Sequence, residues 1–95
     1  MSALFIAVSR ITDRSKLEQY LAGAPASLAG RQIEVLAFAE DGDTVEGTPP
    51  GGRVVVLKFP DKAAAMEWYN SPEYQAVVKL RLEGTEGFAL LCSGM

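Results

Sequence analysis

Three short segments of this chain are apolar on both of the faces that a β-strand presents, and that restricts the folds open to it. Near the start, Ala3, Phe5 and Ala7 alternate with Leu4, Ile6 and Val8. In Arg53 to Phe59, Val54 and Val56 alternate with Val55, Leu57 and Phe59. In Phe88 to Cys92, Ala89 and Leu91 alternate with Phe88, Leu90 and Cys92. Successive side chains of a strand point to opposite faces, and an antiparallel sheet with one wet face alternates apolar and polar residues. These segments have no polar face to turn to water. Their sheet needs two covers, and 95 residues make one domain, spanning 1–95, with helices enough for one. The second cover is most simply another copy of the sheet. The pattern predicts a homodimer formed through the helix-free sheet faces.

The remaining elements follow from caps and periodicity. Residues 3–10 read as the first strand. Thr12-Asp13 offers a helix cap, Ser15 to Glu18 has capping-box spacing, and Leu17, Tyr20, Leu21, Ala24 and Leu28 recur at helical intervals. Pro25 is expected to end or bend that helix, and Gly30 marks its exit. Gln32 to Ala39 reads as a second strand. Asp41-Gly42 and Pro49-Pro50-Gly51-Gly52 then predict a long hairpin connection to the strand at 53–59. Pro60-Asp61 stops that strand and caps a helix through Asn70. Ser71-Pro72-Glu73 is a second helix start, with Ser as N-cap and Pro in the first turn. Tyr74, Val77, Val78, Arg81 and Leu82 form the expected inward stripe, Gly84 a C-terminal cap, and 88–92 the last strand. Two split βαβ units in this order give an α+β, ferredoxin-like βαββαβ layer: a four-stranded antiparallel sheet with the helices on one face.

Composition excludes several function classes. Nine basic against twelve acidic residues give a net charge of −3, which argues against nucleic acid as a partner. No apolar run approaches the length that spans a bilayer. The stretch Leu4 to Val8 is short for a signal-peptide core, so no membrane partner is expected. A single cysteine suits a reducing cytoplasm. Histidine is absent, which removes Ser-His-Asp and Cys-His nucleophile arrangements and most zinc sites. Asp41 and Asp43 lack the later glutamate of a calcium loop, and Gly51-Gly52 has no P-loop lysine. Neither a metal nor a cofactor is expected.

Candidate chemistry is confined to a few residues. Arg81 shares the inward stripe with Tyr74 and Val78, where a permanent charge must find a partner or a way to solvent. It either holds a carboxylate or enolate in a pocket or pairs with an acid at a strand end. Glu46 and Arg53 flank the Gly/Pro loop, as a general base with an orienting cation or as a salt bridge pinning the loop. Tyr20, Trp68 and Tyr74 serve either as core or as the apolar walls of a binding site. Trp68 and Tyr69, adjacent in the chain, cannot both face the sheet fully, so one is expected at a pocket rim or a dimer contact. Ser71 reads as a cap, and Cys92 as core packing.

The segments Thr44-Val45-Glu46-Gly47, Arg53 to Pro60, and above all Trp68-Tyr69-Asn70-Ser71-Pro72-Glu73-Tyr74-Gln75 resemble the DUF1330 family. The resemblance extends over about residues 3 to 93. It implies membership of the dimeric α/β-barrel superfamily, mostly bacterial, in which two sheets pack face to face and ligand pockets lie between each sheet and its own helices. Relatives in that superfamily include cofactor-free monooxygenases and isomerases. Two functions are therefore open. One is a cytoplasmic homodimer that binds or slowly converts a small anionic or carbonyl metabolite without a cofactor. Tyr20, Arg53, Trp68, Tyr74 and Arg81 would then contact substrate, with Glu46 as base. The other is a non-catalytic dimeric module with a closed core.

Overall fold

Each helix starts where a side chain takes up a backbone N–H that the first turn leaves free. In the computed structural model, which describes residues 2–95, Asp13 accepts from the Lys16 N–H at 3.2 Å and opens α1 (Arg14–Leu28). Asp61 accepts from Ala64 N–H at 2.7 Å and opens α2 (Lys62–Tyr69). Ser71 accepts from Tyr74 N–H at 3.2 Å and opens α3 (Pro72–Gly84). The same hydroxyl donates to the Trp68 carbonyl at 2.7 Å, so one side chain joins the end of α2 to the start of α3.

The strands are β1 (Ala3–Ile11), β2 (Glu34–Ala39), β3 (Arg53–Phe59) and β4 (Thr85–Ser93). They form one antiparallel sheet in the order β2-β3-β1-β4, the ferredoxin-like arrangement. Ala7 lies opposite Val55 on one side and Ala89 on the other, which sets the parity of the sheet. Phe5, Val55, Leu57, Phe59 and Leu91 share the side that packs on Leu17, Tyr20, Trp68, Tyr74 and Val78. Leu4, Ile6, Val8, Val54, Val56, Phe88 and Leu90 share the other, and there Phe88 and Leu90 are 50% and 58% exposed. Among the described residues the helices pack on the first side, and none is long and apolar enough to cross a membrane.

Four local expectations are corrected. Pro25 does not end α1, which runs to Leu28. So near the helix end it forfeits only one backbone bond. Ser27 Oγ donates to the Ala24 carbonyl at 2.6 Å, and Arg31 Nε to the Ser27 carbonyl at 3.2 Å, supporting the last turn from side chains. Gly84 is the last residue of α3, not a cap beyond it. Its carbonyl accepts from Thr12 N–H at 2.9 Å and Asp13 N–H at 3.1 Å, and a Cβ there would lie 2.9 Å from the Leu17 nitrogen. The chain passes from this contact directly into β4, which therefore begins at Thr85 instead of Phe88. Leu82 is exposed, because Arg81 takes the inward position one residue before it and consecutive helical residues diverge by about 100°. Cys92 is exposed on the helix-free side, opposite Leu4.

A bulge lies in β2 between Val35 and Ala37. It shifts the register so that Val35, opposite Leu57, and Phe38, opposite Val55, fall on the helix side although they are an odd three positions apart. Without the extra residue, strict alternation would send one of the two to the other face.

Candidate functional site

The helices and the sheet do not fill the space between them. The gap is a cavity of about 220 Å³ walled by Phe5, Val55, Leu57, Leu21, Ala24 and Trp68. Val35 and Phe38, both about half-exposed, stand at its outer edge along β2. Pro25 and Leu28 complete the α1 side, so the last turn that the proline does not break contributes to the wall.

Tyr20, Arg53 and Arg81 bring polarity into this apolar space. Arg53 opens β3 opposite Ser9, and Arg81 sits in the last turn of α3, where Thr85 Oγ1 donates to its carbonyl at 2.8 Å. The two arginines are only 4% and 8% exposed. Among the described residues neither has a carboxylate within ion-pairing distance; the paired cations are Arg10, Arg14, Lys16, Arg31 and Lys79. Among the described residues, Arg81 Nε and Ser9 Oγ are buried with no hydrogen-bond partner. Native structures rarely leave such atoms unsatisfied, and those they do leave call for an explanation. Burial lowers the Arg53 pKa from its ordinary value, and the charge of Arg81 adds to that effect. The Phe38 ring lies 5.9 Å from the Arg53 guanidinium and supplies a cation–π contact in place of an acid.

The aromatic residues form a scaffold around this pair of charges. Trp68 stands at its centre, 4.1 Å between ring centroids from Tyr74 and 5.4 Å from both Phe5 and Phe59. Its indole N–H donates to Ser27 Oγ at 3.1 Å, which fixes the ring against α1. Tyr20 Oη lies 2.9 Å from Tyr74 Oη. Burial, and then the Tyr74 phenol beside it, push the Tyr20 pKa well above the ordinary range. Trp68 is thus the member of the Trp68–Tyr69 pair that reaches the cavity, while Tyr69 packs half-buried against Phe5 at 6.1 Å.

Of the residues singled out from the sequence, Tyr20, Arg53, Trp68 and Arg81 line the cavity. Tyr74 stands behind them, fully buried, and touches Tyr20 through its hydroxyl and Trp68 through its ring. Glu46 does not join them. It is exposed on the β2–β3 connection and makes no ion pair with Arg53. The Gly42 N–H donates to the Gly52 carbonyl at 2.9 Å, which closes the base of the loop and leaves Glu46 beyond the end of the ladder. The acid at this end is Glu40, which Arg14 grips with two hydrogen bonds of 2.9 and 3.0 Å. Arg14 lowers the Glu40 pKa from its ordinary value. Sequence reasoning passed over Ser9 and Phe38. Ser9 carries a signal in its parity, as the polar residue in line with Ala3, Phe5 and Ala7. Phe38 carries none, because the bulge sets its face.

Fold and cavity together define a ferredoxin-like α+β chain with a ligand-sized space between its sheet and its helices. The sequence matches the model of DUF1330, a domain of unknown function, over residues 2–95, and the chain belongs to that family. No curated protein matches it. Among solved structures it is similar to RPA0582, a protein of unknown function from Rhodopseudomonas palustris, with a TM-score of 0.79 and 16% identity over 99% of this chain and 82% of that one. It is also similar to SnoaB, a cofactor-independent oxygenase from Streptomyces nogalater (TM-score 0.67, 12% identity, 99% and 93% covered). A third is a dimeric ferredoxin-like protein of unknown function from Thermobifida fusca (TM-score 0.65, 14% identity, 99% and 92% covered). At these identities the likeness is one of fold.

Proposed function

We propose that this chain is a cytoplasmic homodimeric protein that binds a small organic anion, a carboxylate or the enolate of a carbonyl compound, without a cofactor. The observation that carries this is the pair of buried guanidiniums without acids, facing an apolar cavity. Arg53 and Arg81 would hold the charged end by charge-assisted hydrogen bonds, and Trp68, Phe5 and Tyr20 would enclose the apolar body. The closed-core module is the weaker account, because its interior would be filled and its arginines paired. Glu46 has no part in this assignment, since the loop carries it into solvent. The likeness to a cofactor-independent oxygenase and to a dimeric ferredoxin-like protein fits the cofactor-free and dimeric parts of the proposal. The apolar helix-free face supports the same assembly, and a stable interface there would bury on the order of 1,500 Å² in total.

Trp68, the single tryptophan, lines the cavity and reports on it without labelling. Titration with a panel of aromatic and aliphatic carboxylates should give a saturable change in its emission, lost in Arg81→Met. Emission that no anion alters, confirmed by calorimetry, would defeat the proposal.

A further inference from the structure

Two buried cations without an ion-pairing carboxylate line one cavity, which suits a ligand of more than one negative charge. Arg53, Arg81 and Tyr20 line the same cavity, and the charge of Arg81 is felt at Arg53 and those of both arginines at Tyr20. A single carboxylate neutralises only one of them.

A third donor stands beside them. The Tyr20 and Tyr74 hydroxyls share one hydrogen bond, so one donates and the other keeps its O–H for a different acceptor. If Tyr20 donated, the O–H of Tyr74 would be left without an acceptor on a residue that is 0% exposed. An unmade bond of that kind is costly. Tyr74 therefore donates, and the free O–H belongs to Tyr20, which lines the cavity. Ser9, opposite Arg53 in the sheet, adds a buried hydroxyl without a partner on the same side.

Building on the anion-binding proposal above, we infer that the polar part of the cavity receives a doubly charged tetrahedral head, that of a phosphate monoester. Arg53 and Arg81 take its charged oxygens, and the Tyr20 O–H takes a third. The organic group of the ester lies against Trp68, Phe5 and Leu28. A tetrahedral head offers three oxygens in different directions, whereas a planar carboxylate offers two in one plane.

The test compares phenyl phosphate, methyl phenyl phosphate, benzoate and inorganic phosphate by calorimetry at about pH 8, where a monoester is a dianion because its second ionisation lies near pH 6. Phenyl phosphate should bind about tenfold or more tightly than the singly charged diester and than benzoate, as one added charge-assisted hydrogen bond provides. Inorganic phosphate should bind more weakly than phenyl phosphate. The double variant Tyr20→Phe, Tyr74→Phe keeps both rings, leaves no orphaned hydroxyl, and should weaken phenyl phosphate by about tenfold. Equal affinity for the diester or benzoate would overturn the doubly charged head while leaving the anion site standing. Binding of inorganic phosphate as tight as that of phenyl phosphate would overturn the ester. Unchanged affinity in the double variant would overturn the role of Tyr20. Binding of none of the four would remove the anion site itself.

Discussion

The phenolic oxygens of Tyr20 and Tyr74 lie 2.9 Å apart inside the core, joining α1 to α3 by a hydrogen bond whose two members are not equivalent. Tyr74 has no other outlet for its proton, whereas Tyr20 opens on the cavity. Tyr20→Phe should therefore cost more than Tyr74→Phe: about 1–3 kcal/mol for the first, which orphans a buried donor, and about 1 kcal/mol for the second. Urea unfolding of the two variants measures the difference. The reverse order would mean that Tyr20 is the donor.

Alkaline pH should act on the same residue. The Tyr20 pKa in the folded chain is raised above its unfolded value near 10, so the folded state keeps a proton that the unfolded state releases. The contribution is complete below about pH 10 and is lost as pH rises beyond it, at up to about 1.4 kcal/mol per pH unit. Stability of the native chain should fall more steeply above pH 10 than that of Tyr20→Phe. Parallel profiles would contradict the assignment.

Arg81→Met should raise the unfolding free energy of the ligand-free protein, read from urea unfolding, by on the order of 1 kcal/mol, while abolishing anion binding. A buried charge without a partner is a net cost, and Met keeps most of its volume. A loss of several kcal/mol would instead identify Arg81 as one member of a pair and favour the closed-core module.

Ser27 supports the cavity wall at a distance from the charges. Trp68 Nε1 donates to its hydroxyl, which in turn donates to the Ala24 carbonyl. Ser27→Ala should cost about 1–3 kcal/mol, because the indole N–H then has no acceptor inside a core where Trp68 is 2% exposed. Thermal or urea unfolding gives the value.

Assembly is the remaining prediction. Light scattering at micromolar concentration should give about twice the chain mass of 10.2 kDa. Val56→Lys and Leu90→Lys place a charge on the helix-free face and should shift the population toward monomer. A native monomer with a cooperative unfolding transition would remove the dimer from the proposal.

How much of this was legible in the residues can be seen by comparing Arg53 with Glu46. Strand parity places Arg53 in line with Val55, Leu57 and Phe59, and helical spacing places Arg81 in line with Tyr74 and Val78. Helical periodicity therefore identified Arg81 as inward-facing, whereas Arg53 drew notice only as a flank of the Gly/Pro loop, although its parity was there to be read. Caps at Asp13, Asp61 and Ser71 are equally local, so the element order and the antiparallel layer followed from them. Whether an acid meets those cations is a different kind of question. It depends on where a long Gly/Pro loop goes, and a hydrogen bond between Gly42 and Gly52 settles that by sending Glu46 outward. Pairing across the sheet likewise determines that β4 starts at Thr85 and that the β2 bulge turns Phe38 toward Arg53. The cavity belongs to the same class. It is the volume left when α1, α3 and the sheet have packed as closely as their backbones allow, and no single segment specifies it. Periodicity records which way each side chain faces, while the distances between residues far apart in the chain arise only when the layers close.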